Sequence, residues 1–126
     1  KKRDTKGSRL NRRPREDILY GRCLTFTIKE SISAVEAMLK IISGRKNESL
    51  GDAFKNIEKS GRVEINTNLQ EAYKRIYGWA SNEGIRHPKT KGDIKIFPED
   101  AKYMLVSCSA FVNYLKEKAI RGGIKF

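Results

Sequence analysis

The stretch "YGWASNEGIRHP" (residues 77–88) holds the only tryptophan and the only histidine of the chain, Trp79 and His87, and sets Arg86 directly before the histidine. That pair suits one chemistry in particular, RNA cleavage without a metal. A histidine with an ordinary pKa near neutrality can take the proton of a 2′-hydroxyl, or protonate the leaving oxygen. An arginine can hold the phosphate and offset the charge that grows on its oxygens. The product would carry a 2′,3′-cyclic phosphate. The plain alternative for a single loop histidine is a surface or capping residue with no chemistry at all.

Other chemistries are poorly supplied. One histidine, with Cys23 and Cys108 far apart in the chain, makes neither a zinc set nor a disulfide framework. Both cysteines fall inside apolar helical patterns and are expected as reduced core residues. No glycine-rich phosphate loop follows a strand. Ser81, Ser107 and Ser109 show no spacing to His87 that would mark a nucleophilic triad. No metal and no cofactor is expected.

Charge narrows the partners. The chain has 126 residues, a size suited to one domain, and a net charge of +12. Residues 1–15 carry eight Lys or Arg against Asp4 alone, so a net +7 of that total sits in the first 15 residues. Such a block reads as a basic arm, and its natural partners are polyanions, RNA or DNA first, because each neutralised phosphate releases a counterion. Arg12, Arg13 and Arg15 are candidate phosphate contacts; a solubilising arm or a linker explains the same block equally well. Lys89 and Lys91, with Lys95 beyond them, could continue a phosphate track past the histidine. No run of about 18 apolar residues exists, so no membrane partner is expected. No apolar segment follows the first charges, so no signal peptide is expected and a cytoplasmic location is. The chain lacks an initiator methionine and reads as a piece of a longer protein, whose N-terminal domain is then an expected partner.

The elements that must position these residues are helices. Ile28, Ile32, Val35, Leu39 and Ile42 repeat at helical spacing between about Arg15 and Ser43. Ala34, Met38 and Ile41 widen the stripe, as for a helix buried on more than one side. Pro14 suits a first turn, and Gly44 a stop. Gly21 and the β-branched run "LTFTI" are where this segment can divide into a short and a long helix. A short helix follows, with Ser49 as N-cap, Leu50, Phe54 and Ile57 on its apolar face and Gly61 as terminator. "RVEIN" reads as a brief extended link. Asn68 is the expected cap of the next helix, with Glu71 in the box position; Leu69, Ala72, Tyr73, Ile76 and Ala80 line one face, and the helix ends near Gly84. Trp79, Tyr73 and Tyr77 share helical spacing and are expected in core or dimer packing. Residues 85–98 read as an ordered loop. Pro98, Glu99 and Asp100 open a last helix. Ala101, Met104, Leu105, Cys108, Phe111, Val112, Leu115 and Ala119 form its stripe, up to Gly122 and Gly123. The fold class is all-α, a bundle of four to five helices: a basic arm over 1–15 and a helical domain over 16–126.

The blocks "KESISAVEAMLKIISG", "SLGDAFKNIEKSG", "LQEAYKRIYGWASNEGIRHP" and "DAKYMLVSCSAFVNYLKEK" resemble the C-terminal helical domain of bacterial abortive-infection proteins of the AbiJ type, itself similar to the HEPN superfamily. The resemblance covers roughly residues 24–120, and its most specific pieces are "GIRH" and "MLVSCSAFVNYL". It implies an up-and-down bundle that forms a homodimer, a place in antiviral (phage) defence or a toxin–antitoxin system, and RNA binding. Many members are metal-independent endoribonucleases, with an Arg and a His separated by four to six residues as the site. His87 matches the family histidine. The position five before it is Asn82, not arginine. Either Arg86, with Asn82 and Glu83, replaces the usual arrangement, or the domain is a non-catalytic dimerisation and protein-interaction module of a larger defence protein. Glu36 lies mid-helix among apolar residues and needs a partner if it is buried. Arg86 or His87 is a candidate for that tie; a solvated helix edge is the alternative.

Overall fold

The computed structural model describes residues 14–81 and 95–126, and these form four helices with no strand among them. They are α1 (Pro14–Ser43), α2 (Leu50–Ser60), α3 (Thr67–Ala80) and α4 (Pro98–Arg121). The two long helices, α1 and α4, make the main packing surface; α2 lies on α1, and α3 on α1 and α2.

α1 runs unbroken through Gly21 and "LTFTI". The hydroxyls of Thr25, Thr27 and Ser31 bond back to the carbonyls of Gly21, Cys23 and Thr27 at 3.0, 2.9 and 2.7 Å. β-branched threonine is thereby held in a helix-compatible rotamer, and the division allowed for at this point does not occur. Gly44, at φ +73°, ends the helix as expected. Ser49 caps α2 by accepting from the Asp52 N–H at 3.2 Å, and Gly61 closes it in the left-handed conformation.

The cap of α3 differs from expectation. Asn66, not Asn68, accepts from the backbone, taking the Asn68 N–H at 2.8 Å. Asn68 is therefore already inside the first turn, and Glu71 pairs instead with Lys74 at 3.2 Å. The link between α2 and α3 buries Val63 and Ile65. Gln70, itself buried, ties it down by donating to the Ile65 carbonyl at 2.8 Å and to Glu58 at 2.9 Å. At the start of α4 the Asp100 carboxylate accepts from the Phe97 N–H at 2.9 Å. At its end Gly123 (φ +86°) donates to the Ile120 carbonyl and Ile124 to that of Ala119, both at 3.0 Å, a Schellman closure.

The core joins Leu24, Ile28, Ile32, Val35 and Leu39 of α1 to Met104, Cys108, Leu115 and Ala119 of α4, with Phe54 and Ile57 of α2 and Tyr73 of α3. The Tyr73 ring stacks on Phe111 with centroids 4.9 Å apart and meets Phe54 edge-on at 6.5 Å. α1 is buried along one side only: Ala34 and Ile41 face outward, as does Cys23, so this cysteine is no core residue. Leu69, Ala72 and Leu105, expected in the stripes of α3 and α4, are likewise exposed. No helix among the described residues is long and apolar enough to cross a membrane.

Candidate functional site

Asn82, Glu83, Arg86, His87, Lys89 and Lys91 lie outside the described residues, as do Arg12 and Arg13; Arg15 is in the first turn of α1. What the structure does place are the two ends from which the segment carrying Arg86 and His87 departs. On one side, α3 is fixed by buried Tyr73 and Ala80. It finishes where the Ser81 N–H reaches the Tyr77 carbonyl at 2.8 Å. On the other, α4 is fixed by Ala101 and Met104 in the core and by the Asp100 bond to Phe97. Both attachment points therefore belong to the packed bundle.

A groove of about 340 Å³ runs between these two ends. Arg75, Ile76 and Trp79 line it from α3, and Asp100, Tyr103 and Met104 from α4. Trp79 is half-buried, while Tyr103 is 63% exposed. Core packing accounts for Tyr73 as expected, but Trp79 serves the core with part of its surface only.

Glu36 is half-buried and lines a second cleft, of about 290 Å³, together with Lys40, Lys46, Glu48, Ser49 and Tyr77. Its charge is felt by Tyr73, whose hydroxyl is sealed in the core without a hydrogen-bond partner among the described residues. Burial chiefly, and then the charges of Cys108, Glu36 and Tyr77, push that phenol far above the ordinary tyrosine range. Burial also raises the Cys108 thiol. The expected tie from Glu36 to Arg86 or His87 falls outside the described residues. Among the described residues Glu36 lies at the α1–α2 junction, and there Glu48, which sequence reasoning missed, is the more constrained carboxylate. Its side chain is only 8% exposed; Oε2 accepts from Asn56 at 2.6 Å, and Oε1 accepts no hydrogen bond but has the Arg45 Nε at 3.9 Å. No three of His, Cys, Asp and Glu gather at metal-binding spacing among the described residues.

Tyr103 and Arg75 are the groove residues that spacing did not mark. Tyr103 stands off the α4 stripe, and an aromatic residue standing outside a core stripe is the one signal that could have found it. Comparison of the chain with protein-family models, with curated proteins and with solved structures found no match.

Proposed function

We propose that the chain is a HEPN-like domain of a bacterial phage-defence (abortive-infection) protein, that it binds RNA as a homodimer, and that Arg86 and His87 make it a metal-independent endoribonuclease. The reading is carried by one observation: the only histidine of a +12 chain sits beside an arginine in the connection between two helices of an all-helical bundle. One histidine moves only one of the two protons in the reaction, so water carries the other. The 2′-oxygen attacks phosphorus and the bond to the 5′-oxygen breaks. His87 either accepts the 2′-hydroxyl proton or protonates the departing 5′-oxygen, while Arg86 holds the phosphate. Asn82 and Glu83, three to five residues before the Arg86–His87 pair, complete the catalytic set with it, and Lys89 and Lys91 extend the phosphate contacts.

A second reading, a non-catalytic module for dimerisation and for docking to the N-terminal domain of the same protein, is favoured by Asn82, which stands where the family motif has arginine. One experiment separates the two. Purified wild type and His87→Ala are incubated with total RNA in EDTA and the product ends are analysed. Cleavage by wild type alone, leaving cyclic phosphates, is the expected result. Intact RNA with both proteins would transfer the case to the second reading, and equal cleavage by both would remove His87 from the chemistry.

A further inference from the structure

The groove between the end of α3 and the start of α4 has features that core packing does not require. Tyr103 keeps 63% of its surface in solvent, and it lines one cavity together with Trp79. Single-strand binders use this combination, because every base offers a π-face and stacking on an aromatic ring tolerates any sequence. Met104 and Ile76 give the groove an apolar floor, and Arg75 adds a cation of the kind that stacks on bases and binds phosphate bidentately. Its volume of about 340 Å³ falls at the lower end of the range for small-ligand sites, roughly 300–1,000 Å³, enough for one planar base. Asp100 is held in place by its bond from the Phe97 N–H at 2.9 Å, so an oriented carboxylate borders the same space and can accept from an exocyclic amine.

We propose that this groove is a stacking subsite for one unpaired base of an RNA strand, with Trp79 and Tyr103 as its aromatic walls and Arg75 on the adjoining phosphate. The subsite rests on the RNA-binding reading above and deepens it, since it selects single strands over duplex. A duplex keeps its bases stacked on one another and offers no free face to the groove.

Trp79, the only tryptophan, makes the test direct. The full chain is titrated with a short single-stranded RNA of mixed sequence, 2′-O-methylated to prevent cleavage. Binding is followed by anisotropy of a dye on the strand, and the environment of Trp79 by its own fluorescence. Quenching of Trp79 with the same midpoint as the anisotropy change is expected, and a duplex of the same sequence should not produce it. Tyr103→Ala should weaken single-strand binding roughly tenfold, while Tyr103→Phe should retain it. Tyr103 is exposed, so circular dichroism should show both variants folded, and the quenching of wild type needs no variant. A strand that binds without quenching Trp79 and without loss in Tyr103→Ala overturns the subsite but leaves RNA binding intact. No anisotropy change with any RNA overturns both.

Discussion

The Tyr73 hydroxyl is a polar atom that the core encloses without a described partner. Because its ionisation is pushed upward, the native chain keeps the Tyr73 proton at a pH where the unfolded chain, titrating near 10, begins to lose it. The native state then binds more protons than the unfolded one, so stability is intact below about pH 10 and falls as pH rises beyond it. Tyr73→Phe keeps the ring stacked on Phe111 and removes the hydroxyl. We expect it to leave stability at neutral pH unchanged or raised by up to about 1 kcal/mol, and to move the alkaline unfolding midpoint to higher pH. Circular dichroism against pH and urea would check both; a loss above about 1 kcal/mol at neutral pH would mean the hydroxyl is satisfied after all. The two cysteines should also separate cleanly. Cys23 is exposed, whereas Cys108 is buried with its thiol pushed up. One fast and one slow equivalent are expected in thiol labelling of the native protein, and Cys23→Ser should abolish the fast one.

At the scale of elements, the closures carry the strongest local tests. Gly122 has ordinary helical-side φ, so its backbone would accept alanine, but a Cβ there would collide with the Arg62 carbonyl oxygen in the α2–α3 link. Gly122→Ala should therefore cost about 1–3 kcal/mol through displacement of that link, read as a lower urea midpoint. Such punctuation was largely legible in the sequence. Ser49, Gly61, Gly44 and Pro98 act where their residue types lead one to expect, because caps and stops are decided within one turn of chain. The continuity of α1 was not legible, since it depends on side-chain hydroxyls folding back onto their own helix. Nor were the outward positions of Ile41, Leu69 and Leu105, because periodicity identifies an apolar face but not whether a neighbour covers it. The groove is a third kind of case. Arg75 and Tyr103 come from different helices, and only the packing of α3 beside the start of α4 brings them together.

Across the whole molecule two features bear on partners. The outer face of α1 carries Phe26 at 64% and Ile41 at 54% exposure, roughly 22 Å apart along the helix, with Ala34 and Ala37 between them and exposed Glu30 and Ser33 interrupting the apolar row. This face is where the proposed homodimer would be tested first. Phe26→Glu should raise the dimer dissociation constant at least about tenfold without lowering thermal stability, as sedimentation and calorimetry would show. The second feature is the charge of the basic N-terminal segment, on which the proposed RNA binding would depend. The most direct test is the affinity of the full chain for a single-stranded RNA as a function of salt, alongside a chain carrying Arg12→Glu and Arg13→Glu. Submicromolar binding at low salt is expected to fall steeply as salt rises. The double variant should bind more weakly, with a slope of log affinity against log salt shallower by about 1.4, since each lost single-strand phosphate contact removes about 0.7. No binding at low salt, or an affinity indifferent to salt and to these two arginines, would contradict RNA as the partner.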